Sequence, residues 1–199
     1  MSLSTLDILL FDGNEVWFST FIEWLTWSKF SHVGIALSNP TYIKSDLIGQ
    51  YMFESGEEPV KDSVEDRLIF GVQITDFDKL KEDYVGKIYK RTITTTLSKE
   101  TIEIGLVEVY DLVYGHKYDE NILDFLRDEL DMKLGSECRK TNEFFCSAFA
   151  GYLMVKLGMI DKDTRWDLLT PKDFSPGYKV DKLLKEKGNS SYSKLINIK

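Results

Sequence analysis

Apolar residues recur along this chain with two different periods. The first stretch, LDILLFDG from Leu6 to Gly13, is a short apolar run that ends in a turn signal, which predicts a buried strand at the centre of a sheet. Alternation of apolar and other residues in FSHVGIAL and YMFESG predicts two further strands, which carry His32 and Glu54. Strands are also predicted for RLIFGVQIT and GKIYKRTI, residues 67–75 and 86–93, around a short polar helix, FDKLKEDY.

Helical spacing dominates the second half of the chain. A helix is predicted to begin at Ser98, which can cap it, and to end near Gly115. Further along, Thr141 to Ile160 has apolar residues at i, i+3, i+4, i+7 and i+11, namely Cys146, Phe149, Ala150, Leu153 and Leu157. Gly158, followed by two apolar residues, predicts a left-handed stop for this helix. Residues 118–135 predict another helix, which two pieces would also fit.

An aromatic segment, Asn14 to Phe30, separates the first two strands and holds three of the four tryptophans. Its spacing fits a helix capped by Asn14, although more than one face is apolar. Two interpretations stay open: a helix packed under the sheet, or an apolar lip beside an active site.

Strands followed by helices favour an α+β fold with a mostly antiparallel sheet, and 199 residues favour one domain over the whole chain. The net charge of −8 disfavours nucleic acid and anionic membrane as partners of the whole surface. Beyond Pro176 lysines outnumber acidic residues, and the sequence predicts a short surface helix followed by a flexible basic tail, from about residue 179.

The sequence gives no signal for a cofactor or a metal. Its two cysteines, Cys138 and Cys146, match no zinc spacing and are interpreted as thiols of a reducing compartment. The N-terminus has no charged and apolar leader, and no apolar run reaches the roughly 18 residues of a membrane span. We therefore expect a cytoplasmic or otherwise intracellular protein, and the oligomeric state stays open.

Cys146 is the first candidate for chemistry because it lies in the first turn of its helix, where Thr141 or Asn142 can cap the chain. Unpaired backbone N–H groups at such an end favour a thiolate and can receive an oxyanion. On composition alone, a cysteine among phenylalanines is more often a small buried apolar residue.

His32 is the candidate base. The alternation places it on one strand face with Gly34 and Ala36, and these small residues predict room for a helix start to approach. Taken alone, a histidine in an apolar strand is more often a hydrogen-bonded core residue, and Glu54 on the next strand reads as a solvated carboxylate. His116 competes for the role of base, but it lies in a polar loop.

These segments, in this order, resemble the circularly permuted NlpC/P60 branch of the papain-like cysteine hydrolases, of the YiiX/YaeF type. The matching blocks run from about Leu6 to Phe174: LDILLF, SHVGIAL, FESG, GHKYD, FFCSAFAGYL and LTPKDF. The resemblance implies a papain-like fold whose sheet packs against the nucleophile-bearing helix. It also implies Cys146 as nucleophile, His32 as base, Glu54 as the residue that orients His32, and Tyr118 as a hydroxyl near the oxyanion or substrate.

The function that follows is a thiol-dependent amidase or peptidase that works through a thioester. Acidic residues near Glu54, Glu57, Glu58 and Asp62 favour an amine-bearing peptide or amide substrate. The aromatic segment favours the alternative, a lipid esterase or acyltransferase that binds an acyl chain. A third interpretation is a binding module of the same fold without turnover.

Overall fold

The computed structural model describes residues 2–13, 29–57, 60–114 and 143–199. Most of the aromatic segment, the loop with His116 and Tyr118, the predicted helix at 118–135, Cys138, and the capping residues Thr141 and Asn142 lie outside this part of the chain. The predictions for these residues stay predictions.

A six-stranded sheet forms the centre of the fold. Its strands are β1 (Ile8–Asp12), β2 (His32–Ser38), β3 (Gln50–Glu57), β4 (Phe70–Asp76), β5 (Lys87–Arg91) and β8 (Ile196–Asn197), in the spatial order β4-β3-β2-β1-β5-β8. A smaller sheet pairs β6 (Ile93–Thr95) with β7 (Ser190–Tyr192). Every pairing between these described strands is antiparallel, which confirms the predicted sheet type, and β1 lies inside the sheet as its apolar run predicted.

The described α-helices are α1 (Phe77–Asp83), α2 (Lys99–Val113), α3 (Glu143–Lys156) and α4 (Lys179–Lys187), and two 3₁₀ turns follow α3 at Trp166–Leu168 and Pro171–Phe174. Ser98 caps α2 as predicted, because its hydroxyl accepts from the Thr101 N–H. Gly158 has φ of 66°, the left-handed conformation that ends α3, and the next two residues, Met159 and Ile160, are buried. Within the described segments no helix is both long and apolar enough to cross a bilayer.

Both faces of the sheet are covered by apolar packing, and the two faces carry alternate residues of each strand. On one face Val33, Ile35 and Leu37 join a core with residues of α2 and α3. On the other face Ala36 and Met52 join a second cluster with residues of α1. Because β2 is buried on both sides, a slip of one residue in its pairing would exchange the two sets, and the register is therefore strongly determined.

The prediction of a flexible basic tail is wrong, because the residues after 178 are built into the fold. Val180 and Leu184 of α4 are buried, β7 pairs with β6, and β8 pairs with β5 at the sheet edge. The short helix predicted in this segment is present as α4.

Arg91 holds this C-terminal segment in place. Its side chain is 1% exposed and donates to the carbonyl oxygens of Phe174 and Ser193 and to both carboxylate oxygens of Asp181. The lysines of the C-terminal segment predicted a flexible surface tail. The buried Arg91 on β5 supplies the interactions that order this segment.

Replacement of Arg91 by leucine therefore leaves the carbonyl oxygens of Phe174 and Ser193 without this donor, and Asp181 keeps only the Gly177 N–H among the donors described. We expect Arg91→Leu to lower the free energy of unfolding by about 3 kcal/mol, the upper end of the cost of leaving a buried polar group without its hydrogen bond. Urea denaturation measures this change, and Lys87→Met, at an exposed position of the same strand, is the control. A loss equal to that of the control would contradict the role given to Arg91.

Candidate functional site

A histidine–carboxylate pair lies buried within the sheet. His32 is the first residue of β2, and its Nε2 lies 2.5 Å from Oε2 of Glu54 on β3. The two side chains are 2% and 0% exposed. The predicted contact between these residues is present, and the alternative of a solvated strand-edge carboxylate is wrong for Glu54.

Thr75 on β4 is a second hydrogen-bond partner of Glu54. Its hydroxyl donates to Oε1 at 2.6 Å, so among the described residues His32 contacts one carboxylate oxygen and Thr75 the other. The three residues form a diagonal across three neighbouring strands on one sheet face. Sequence reasoning missed Thr75, because only the pairing of β3 with β4 reveals that it stands beside Glu54.

The contact with Glu54 gives the two imidazole nitrogens of His32 different roles in hydrogen bonding. With Glu54 ionised, Nε2 carries a proton and donates it to the carboxylate, and Nδ1 then holds the lone pair. The ring plane is supported by Phe11 on β1, whose ring meets the imidazole edge to face at 5.4 Å between centroids. Glu54 and Phe11 together hold the imidazole ring in one orientation.

Cys146 lies at the start of α3, and its side chain is buried, with 4% exposure. The helix packs on β2 and β3, and the ring of Phe149 meets Phe53 of β3 edge to face at 4.8 Å. Ser147, next to the cysteine, donates its hydroxyl to the Leu169 carbonyl at 2.5 Å. Two independent contacts thus fix the first turns of the helix against the sheet and against the chain that follows it.

The prediction that Gly34 and Ala36 make room for this helix is wrong. A Cβ atom at Gly34 would come within 2.4 Å of the Met52 sulfur, so a neighbouring side chain fills the space above the glycine. The stripe of α3 packs instead against the face that carries Val33, Ile35 and Leu37. The Met52 side chain fills the space above Gly34. His32 lies on the same face of β2 as Gly34 and Ala36, and the apolar stripe of α3 packs against the opposite face.

Gly34→Ala tests this packing. The added methyl group would force Met52 from its position, and we expect a loss of about 1–3 kcal/mol in the free energy of unfolding, as for other overpacked cores. Combined with Met52→Ala, the substitution should cost much less than it does alone, since the obstructing side chain is then gone. Strictly additive losses in the double variant, measured by thermal or urea denaturation, would refute the assignment.

Asp62, which the sequence suggested as one of several carboxylates able to hold an amine, has a structural task. It is 1% exposed and accepts from the backbone N–H groups of Val64, Glu65 and Ile74 and from the hydroxyl of Tyr114. Burial, together with the bond to Asp62, raises the pKa of Tyr114 well above its ordinary value, so the phenol stays protonated and donating.

A polar cleft of about 520 Å³ lies beside Asp62 and is lined by further charged residues, among them Asp66, Asp76, Lys79, Glu82 and Asp83. Glu54 is not part of its lining. The acidic cleft lies at the surface, and the His32–Glu54 pair lies in the interior and does not line it.

Comparison with known proteins finds no matching family model and no curated protein of significant similarity.

Proposed function

We propose that this protein is a thiol-dependent hydrolase, an amidase or peptidase, in which Cys146 is the nucleophile, His32 the proton carrier and Glu54 the residue that orients it. The observation that carries the proposal is the buried His32–Glu54 pair, held by the Thr75 hydroxyl. The start of α3, a helix packed on the same two strands, supplies the cysteine.

The burial of the pair supports a role in proton transfer. Removal of an ionisable pair from water is expensive, and apolar side chains of similar size often stabilise a core at least as well. A histidine and a carboxylate that are 2% and 0% exposed therefore contribute little that a structural core requires. The carboxylate beside Nε2 is what a general base requires, because an adjacent anion stabilises the imidazolium that forms when the histidine takes up a proton.

The proposal places a geometric requirement on the cysteine. Since the helix stripe packs on the face opposite His32, Cys146 and His32 must meet around the end of β2 rather than across the sheet. Both residues suit such a meeting, because His32 begins its strand and Cys146 lies in the first turn of its helix.

In the proposed reaction the Cys146 thiol gives its proton to Nδ1 of His32, and the sulfur attacks the carbonyl carbon of the substrate. The oxyanion that forms is received by the backbone N–H groups at the helix start, with the Tyr118 hydroxyl as the further donor that the resemblance implies. The imidazolium then protonates the amine as the C–N bond breaks and a thioester remains. Water, deprotonated by His32, hydrolyses the thioester to a carboxylic acid and restores the thiol.

The amide is preferred over the acyl ester because a helix that is apolar on several faces is more often packed in a core than open to an acyl chain. The aromatic segment on which the lipid alternative depends lies outside the described residues. The papain-like, permuted NlpC/P60 fold and the assignment of Tyr118 remain parts of this proposal.

Selective alkylation tests the nucleophile. We expect iodoacetamide to label Cys146 much faster than Cys138 near neutral pH, since the imidazole takes the thiol proton. His32→Ala should remove most of this reactivity, Glu54→Gln should reduce it less, and His116→Ala is the matched control that should retain it. Mass spectrometry of tryptic peptides measures each rate. Equal labelling of both cysteines, or a requirement for His116 in place of His32, would defeat the proposal.

A second experiment tests the bond that is cleaved. We expect release of amine from short amine-bearing peptides, abolished by Cys146→Ala in a protein that still folds. Phospholipid or acyl-ester vesicles are the competing substrate. Turnover on vesicles alone, lost in a folded Trp24→Ser variant, would replace the amidase by the lipid hydrolase.

A further inference from the structure

Residues 166–174, which follow α3 in the chain, connect this helix to the sheet. The turn Trp166–Leu168 packs on α3, and the turn Pro171–Phe174 packs on β1 and β2. At the end of the segment the Phe174 carbonyl accepts a hydrogen bond from Arg91 of β5 at 2.7 Å. Residues 166–174 therefore contact both the helix of the proposed nucleophile and the strand of the proposed base.

The contact of this segment with α3 is a close one. A Cβ atom at Gly151 would come within 2.7 Å of a methyl carbon of Leu169 and 3.2 Å of the Trp166 carbonyl oxygen, so the helix backbone lies directly against the turn. The ring of Tyr152 meets that of Trp166 edge to face at 5.4 Å between centroids. Because such packing is dense, the helix cannot slide or rotate against the segment without losing these contacts.

Ser147 extends the contact to the helical turn that carries Cys146. Its side chain is 0% exposed, and its hydroxyl donates to the Leu169 carbonyl at 2.5 Å. Successive residues of a helix with 3.6 residues per turn are rotated by about 100°. Cys146 can therefore lie in the apolar core with Phe149 while its neighbour Ser147 faces the segment. A bond at Ser147 thus restrains both the rotation and the height of the helix at the thiol.

The carbonyl that accepts this bond belongs to an ordered turn. Thr170, the residue after Leu169, donates its backbone N–H and its hydroxyl to Oδ2 of Asp173, at 2.8 Å and 2.9 Å. These two bonds close the start of the Pro171–Phe174 turn, as in a capping box. The acceptor of Ser147 is thereby held by the same turn that packs on β1 and β2.

We propose that Ser147 is a positioning residue for Cys146. Its bond to the Leu169 carbonyl links the first turns of α3 to residues 166–174, and through them to the strand of His32. The thiol thereby keeps its place relative to the imidazole. The inference deepens the proposed function and rests on it for the reactivity of the thiol, but not for the order of the helix start.

The test compares Ser147→Ala with Asn189→Ala, both in a Cys138→Ser background. Asn189 is the matched control, because its Nδ2 donates to the Gly158 carbonyl just beyond the other end of α3. Each substitution thus removes one side-chain donor from a backbone carbonyl. Two quantities are measured on each folded protein: amide hydrogen exchange along α3, and the rate at which iodoacetamide labels Cys146 near neutral pH.

We expect Ser147→Ala to speed exchange of the amides of residues 147–150, which bond to carbonyls of the first helical turn. It should also slow the labelling of Cys146 by roughly tenfold or more, since a displacement of about 1 Å between reacting groups can cost about a hundredfold in rate. In a His32→Ala background the same substitution should have little further effect on labelling, because Ser147 acts by placing the thiol against His32. Asn189→Ala should leave both quantities unchanged.

Asp173→Asn tests the same connection without a change in the helix. It weakens the bonds to Thr170 beside the accepting carbonyl, so we expect it to shift exchange and labelling in the same direction as Ser147→Ala, by a smaller factor. This variant decides the question if Ser147→Ala does not fold.

Unchanged exchange at residues 147–150 would overturn the inference, as would an equal loss of labelling with and without His32. Faster labelling in Ser147→Ala would also overturn it, because the bond would then only shield the thiol. A different result marks failure of the proposed function: labelling of the parent that does not depend on His32. Faster exchange confined to residues 147–150 would in that case still support Ser147 as the anchor of the helix start.

Discussion

The pairing register of β2, β3 and β4 is the constraint on which the site depends. It sets His32, Glu54 and Thr75 on one diagonal of one sheet face, with 2.5 Å and 2.6 Å between the bonded atoms. A carboxylate without solvent exposure is tolerated only when donors surround it. A shift of one residue in any of these strands would send one member to the opposite face and leave a buried charge unpaired. The hydrogen bonds along this diagonal and the pairing register of the strands therefore stabilise one another.

The rest of the fold fixes this register from both sides. Alternate residues of β2 pack into the core of α2 and α3 and into the smaller cluster with α1, so the strand cannot exchange its faces. The C-terminal segment adds β8 to the edge of the sheet, beside β5, and Arg91 anchors this segment. The described members of the proposed site, His32, Glu54, Thr75 and Cys146, are thus carried on strands of the sheet and on a helix packed against it.

Much of the fold could be predicted from the sequence, because apolar periodicity depends on local chemistry. The strands around Leu9, His32 and Glu54 and the helices after Ser98 and before Gly158 all follow from it. The contact of His32 with Glu54 was expected from a resemblance, whereas the role of Thr75 depends on the strand pairing, which periodicity does not specify. The role of Gly34 was misjudged for a related reason: the alternation reveals which residues share a face, but not whether Met52 or a helix covers it. The C-terminal segment was misjudged because its order depends on Arg91, about a hundred residues distant in sequence.

The central claim, that Cys146 and His32 form one proton-transfer unit around the end of β2, can be tested by blocking the thiol. In a Cys138→Ser protein, methylthiolation of Cys146 removes its proton without altering the strand, and ¹⁵N spectra of the two histidines are recorded before and after. The account predicts that the Nδ1 signal of His32 moves on blocking and returns on reduction, while the signals of His116 stay in place. His32 signals that are indifferent to the blocked thiol would contradict it.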